Sequence, residues 1–275
     1  MFDWLDENSC EMVAMESTGS YWKPVYNILE ANDMPVMVVN AQHMKNVPGR
    51  KTDVKDSEWI SDLLMNGLLK PSFVPSKEQR ELREICAYRK SLVKTAAAER
   101  NRLQKILEGA NIKLSGTVSN ITGMSASNLL DLLEQGEVLD EAKYDELRDK
   151  KMISTRLKAS KEQLIKDMNG QLTPTQSLML STVRKHIREL DSDIAMLDEE
   201  IEKLLSQDQK SACERIQMIP GISERSSQVI IAAIGTDMNQ FPSAEHLASW
   251  AGLCPGNNES AGKKKNGRTN KGINF

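Results

Sequence analysis

A run of apolar residues at alternating spacings of three and four most constrains this chain. Leu180, Ile187, Ile194 and Ile201 alternate with Val183, Leu190, Leu197 and Leu204. This is the heptad rhythm of a helix that must bury one narrow seam, and it predicts a helix over about Thr175 to Ser206. An earlier stretch, Lys77 to Gly109, keeps a looser version through Leu82, Ile85, Leu92, Ala96, Leu103 and Ile106, interrupted by Arg89 and Glu99. Isoleucine at a with leucine at d favours a two-stranded coiled coil, Val183 being the exception at d. The same seam suits an antiparallel hairpin with the 77–109 helix of its own chain, and the two packings are compatible. The residues between the helices read as a polar connector.

The flanks follow other rules. Residues 10–17, CEMVAMES, alternate as a strand does, and Gly19 breaks the pattern before a helical stretch from about Ser20 to Ala31. PVMVVN, residues 35–40, is a continuous apolar run, as in a buried strand of an α/β sheet. A loop with Pro48 and Gly49 then leads into a helix from about Asp53 to Leu69, with Ile60, Leu63, Leu64 and Leu68 on one face. Strand, helix, strand, helix is α/β grammar. Past the heptads, residues 217–235 read as helix, PGI turn, helix. A short helix in FPSAEHLASWAGLCPG follows, and then small, polar and basic residues to Phe275.

Charge is balanced overall, at −3, but unevenly spread. Ten Lys or Arg face five Glu between Lys77 and Lys113, and five basic residues and no acid lie between Ser260 and Phe275. Such local patches suit nucleic acid better than the net charge suggests. Aromatics at 4% suit helices packed by Leu, Ile, Met and Ala. Cys10, Cys86, Cys213 and Cys254 are too far apart for a metal ribbon or redox pair, so reduced thiols in a cytoplasmic protein are expected. His43, His186 and His246 lack ligand spacing, and no apolar run is long enough for a membrane span.

Three constellations can carry chemistry. Asp53 and Asp56 sit three apart at a helix start, on one face, where they can share a divalent cation. Taken alone, the pair is better explained by ordinary capping by Thr52 or Asp53 and complementation of the helix dipole. Glu16 ends a predicted strand in the apolar setting VAMES, where α/β folds place functional residues. Ser260 lies among Gly and Asn before Lys263, Lys264, Lys265, Arg268 and Lys271. A cationic loop holds phosphates, and a serine there can act as a nucleophile once activated, although composition alone describes a basic tail. The PGI turn around Gly221 suits a helix-hairpin-helix unit that offers backbone amides to phosphate, or a plain αα-turn.

Together, MESTGSYWKPVYNIL, VVNAQHMKNVPGRKTDVKDSEWISDLL, IPGISERSSQVIIAAIG and LASWAGLCPGNNESAGKKKNGRTNKG resemble, in order and spacing, the bacterial insertion-sequence one-ten family of transposases. The resemblance covers nearly the whole chain. It implies a RuvC-like, ribonuclease-H-type N-terminal domain over residues 1–75, a helical linker and coiled coil over 76–210, and a mainly α C-terminal transposase domain over 211–275. It implies an Asp-Glu-Asp-Asp set for Mg²⁺ whose last three members match Glu16, Asp53 and Asp56. Ser260 then matches the serine that joins covalently to DNA. Expected partners are DNA, a structured guide RNA, and a second copy through the 180–204 heptads. Lys51, Arg83, Arg89, Arg102, Gly221 and the basic residues after Ser260 become candidate nucleic-acid contacts.

The family places its first aspartate on a strand well upstream of the glutamate, whereas only fifteen residues precede Glu16. Asp3 and Asp6 substitute poorly, and the chain stops at KGINF where the family continues. The expectation is a transposase or site-specific recombinase cut at both ends and unable to recombine DNA by itself. A non-catalytic binding or dimerisation remnant is the alternative, and a junction nuclease that has no use for Ser260 is a third, weaker one.

Overall fold

The computed structural model describes residues 1–17, 19–39, 53–157, 159–253, 258–260 and 263–266, excepting the side chains of 53–56, 258–260 and 263–266. The chain divides into two compact units, Met1–Lys77 and Glu78–Phe275.

The first unit opens with a short helix, α1 (Phe2–Glu7), followed by β1 (Val13–Glu16), α2 (Trp22–Glu30), β2 (Val36–Val39) and α3 (Asp53–Met65). β1 and β2 pair in parallel, Val13 with Val36 through Glu16 with Val39. Parallel neighbours need a crossover, which α2 supplies. The residue that reverses the chain after α2 is Asp33, at φ 54°. Met34 N–H donates to the Leu29 carbonyl and Asp33 N–H to that of Glu30, a Schellman closure that points the chain into β2. Leu29, Val38, Val39 and Leu63 are buried. On the far side of β2, Val39 bridges Pro71, and Ser72 N–H donates to Val38. Helix α3 ends at Met65, earlier than the apolar pattern suggests, because Gly67 at φ 66° closes a second Schellman turn and leaves Leu68 exposed.

The second unit is built on α4 (Lys77–Gly109) and α9 (Pro174–Leu204). Thr173 and Gln176 form a capping box with Pro174 in the first turn, which fixes where α9 starts. Arg89 pairs with Asp198, and Arg100 with Asp191, so positions rise along one helix as they fall along the other. The heptad seam therefore packs as an antiparallel hairpin within the chain. Leu180, Ile187, Leu190 and Ile201 are buried in it. At the end of the seam Leu204 turns outward and Leu205, the C-cap, packs inward against Leu82 and Cys86.

The stretch read as a polar connector is a helical subdomain with its own core. It contains α5 (Leu114–Thr117), α6 (Met124–Glu134), α7 (Glu141–Asp149) and α8 (Lys161–Asp167). Ala126, Leu129, Leu130, Leu132 and Leu133 are buried along one broad side of α6, joining Leu103, Leu107, Leu180 and Ile187 of the hairpin. The subdomain closes where Lys113 N–H donates to the Asp167 carbonyl and Thr117 Oγ1 to the Asp167 carboxylate at 2.6 Å. Gly170 faces the Ala110 carbonyl and the Ile112 side chain so closely that a Cβ would collide with backbone. Arg184, buried on α9, pins α6 through Asp131 at 2.6 Å and Glu134 at 2.9 Å.

After α9 come α10 (Gln207–Gln217), α11 (Glu224–Ile234), a single 3₁₀ turn (Met238–Gln240) and α12 (Ala244–Trp250). A short antiparallel hairpin follows, β3 (Asn258–Ser260) and β4 (Lys263–Asn266), with a bulge between Asn258 and Glu259.

Candidate nucleic-acid-processing site

Glu16 is the last residue of β1, opposite Val39, and is half-buried. The chain leaves the strand through Gly19, whose φ of 57° lies in the left-handed region that glycine enters without steric penalty. Helix α3 starts at Asp53 and packs against β1. The backbone thus brings the helix bearing Asp53 and Asp56 onto the strand bearing Glu16. The carboxylates of Asp53 and Asp56, and all of Lys51, lie outside the described residues. Among the described side chains no group of three or more His, Cys, Asp or Glu could hold a metal ion.

In the second unit the sequence foresees loop around Ser260, whereas the structure has a strand hairpin. Ser260 ends β3 and pairs with Lys263, the first residue of β4, while Glu259 pairs with Lys264. Antiparallel pairing fixes the serine's backbone beside the start of a lysine-rich strand. Arg268 and Lys271 lie outside the described residues.

The PGI turn adopts the geometry its residues predict. Gly221 sits at φ 92°, exposed, and Ile222 N–H closes the turn on the Ile219 carbonyl. Ser223 caps α11 by accepting from Ser226 N–H. Helices α10 and α11 pack through Ala212, Cys213, Ile216 and Ile231. Met218 and Ile219 beside the turn are exposed.

The basic candidates on α4 have intramolecular partners. A helix leaves its last four carbonyls without partners of its own. In α11 side chains meet those of residues 231–234, Ile231 also accepting from the Gly235 N–H. Gln79 donates to Ile231 and Ala232, Arg83 to Ala232 and Ala233, and Gln240 to Ile234. The Arg83 guanidinium also lies 5.6 Å from the centre of a Trp250 ring, and its burial lowers its pKa. A cation at a helix C-terminus also complements the dipole. Arg89 makes a two-pronged contact with Asp198, at 2.6 and 3.2 Å. Arg102, largely exposed, pairs with Glu99, a buried acid that His186 also approaches at 3.3 Å. Nothing in residue order announces the contacts of Gln79 and Arg83, since Ile231, Ala232 and Ala233 lie 149 to 153 positions away.

Residues 1–112 match a family model described as a transposase, of the DEDD type of IS110 elements. Residues 213–274 match a second model, described as the transposase IS116/IS110/IS902 family. The chain belongs to the IS110 family of transposases. It is 23% identical to the transposase for insertion sequence element IS1111A of Coxiella burnetii over 257 residues, which is 92% of this chain and 58% of that relative. It is also 33% identical over 102 residues to the pilin gene-inverting protein of Moraxella bovis, covering 36% of this chain and 31% of that protein. The matched part of the chain thus spans 58% and 31% of the length of these two curated relatives. In this IS110-family chain one matched segment contains the β1–α3 pair and the other contains the Ser260 hairpin. Among the described residues no helix is long and apolar enough to cross a membrane.

Proposed function

We propose that this IS110-family chain carries the DNA-attacking chemistry of an insertion-sequence transposase or site-specific recombinase, a single attack on the element's DNA ends and not complete recombination by itself. The observation that carries the reading is the placement of its two chemical groups. The packed β1–α3 pair holds Glu16, Asp53 and Asp56 within one family match, and the Ser260 hairpin lies within the other.

Glu16, Asp53 and Asp56 are hard oxygen donors on a strand end and a helix start that pack together, which fits Mg²⁺ better than a softer metal. A bound Mg²⁺ would neutralise charge on a scissile phosphate. Ser260 Oγ supplies the nucleophile. It bonds to phosphorus as the bond to the leaving deoxyribose oxygen breaks, the serine proton passes to a base, and the leaving oxygen takes up a proton. Lys263, Lys264 and Lys265 hold the flanking phosphates by charge. A guide RNA and a second copy of the chain are further partners of this reading, on the strength of the family resemblance.

The reading is tested by two measurements on the full chain. Terminal DNA of its own element should be retained in preference to an unrelated duplex of equal length. Added Mg²⁺ should raise the melting temperature of the wild type and leave Asp53→Asn/Asp56→Asn unmoved. Equal retention of both duplexes together with no Mg²⁺ shift would refute it.

A further inference from the structure

Helix α4 carries an asymmetry of charge that the packing of its unit leaves unused. Between Ile85 and Leu107 it holds six basic residues and one acid. Arg89 and Arg100 bind Asp198 and Asp191 across the hairpin, and the acid, Glu99, is buried under Arg102 and His186. Lys90, Lys94 and Lys105 are exposed and have no ion-pair partner among the described residues. The facing helix is opposite in character. From Glu189 to Leu204, α9 carries seven acids and one base.

Positions 90, 94, 101 and 105 recur at intervals of four, seven and four, so they share one helix face. At about 1.5 Å per residue the three lysines span roughly 22 Å. The surface between them consists of Ala97, Ala98 and Asn101, all exposed, so nothing bulky stands between the ammonium groups and an approaching backbone. Arg102 flanks the stripe, and Glu108 at its end accepts a hydrogen bond from Gln104. Tyr88, the one aromatic residue of α4, lies about 200° around the helix from Lys90 and offers no stacking platform there.

We infer that this outer face of α4 is a contact surface for the phosphate backbone of double-helical DNA. Lysines are compact point charges suited to phosphate without bidentate geometry. A face without aromatic residues lacks the base-stacking groups by which proteins hold single strands. Arg83 and Arg89, engaged inside the chain, are not part of it. The inference rests on the DNA-acting reading above, in which the substrate duplex is DNA; the guide RNA of that reading is the competing occupant, which the RNA arm of the test below distinguishes.

The test is a salt titration of the full chain on a duplex of about three helical turns, between about 50 and 200 mM salt. Lys90→Gln/Lys94→Gln/Lys105→Gln should lower the slope of log K against log salt by about 2 to 3, at roughly 0.9 per lost contact. Lys151→Gln/Lys166→Gln/Lys185→Gln, which removes the same charge elsewhere, should leave the slope within about one contact of the wild type. Equal losses in both variants, an unchanged triple variant, or a larger loss on duplex RNA or single-stranded DNA would each overturn the surface. If the wild type binds no duplex DNA, the surface and the DNA-acting reading fall together. If it binds and the triple variant is unaltered, the surface alone falls. Unchanged circular dichroism and melting of both variants confirm that folding is not the cause.

Discussion

At the residue scale, burial decides what a titratable group can do. Cys86 sits among Leu82, Ile201 and Leu205, and burial pushes its thiol up to about 11. The unfolded chain ionises this thiol first, so the folded state binds more protons at alkaline pH and stability falls as pH rises. The window runs from about pH 9, the ordinary thiol range, to about 11. Urea melts should show the stability gap between the wild type and Cys86→Ala narrowing by about 2 kcal/mol across it. A gap constant from about pH 8 to 11 would contradict the burial argument. Residue identity was legible here and its surroundings were not. Arg83 and Arg89 read as surface cations in a basic run, yet a charge count cannot tell which face of a helix turns inward. Arg184 was missed because no sequence signal marks a buried arginine until Asp131 and Glu134 fold against it.

At the element scale, periodicity was the reliable signal. Helix α4 occupies the span its pattern predicts, and α9 starts within one residue of it, because capping chemistry coincides with the seam. The subdomain over 110–173 was not legible as a unit: Ala126, Leu129, Leu130 and Leu133 keep an amphipathic spacing on α6, but the helices are short and what they pack against, such as Leu103 and Leu180, lies far away in the chain. The same limit applies to the docking of α11, which depends on side chains of α4 meeting its carbonyl end. Replacing Arg83 by Leu leaves Ala233 and part of Ala232 without a donor at a partly buried helix end. The variant should lose about 1–3 kcal/mol in thermal or urea unfolding. Arg83→Lys should recover only part of this, because one ammonium lacks the planar fork that reaches two carbonyls. A stability equal to the wild type in Arg83→Leu would show that the cap contributes nothing.

At the scale of the whole molecule, the order of motifs says more than any one of them. Glu16, the Asp53–Asp56 pair, the PGI turn and Ser260 are each ordinary alone, and all of them fall within the two segments that match the family. The parallel β1–β2 pair and the hairpin at Ser260 give two of these groups a defined backbone setting. Sequence foresaw the α/β grammar of the first unit. It left open how the heptads pack, which long-range pairs such as Arg89 with Asp198 decide. The most direct test of the account is covalent capture. Full-length chain is incubated with labelled terminal DNA of its element and Mg²⁺, denatured, and its DNA-linked peptide identified by mass spectrometry. The account predicts a DNA adduct on Ser260 that is absent in Ser260→Ala. No adduct under these conditions, or one that persists in Ser260→Ala, would contradict it.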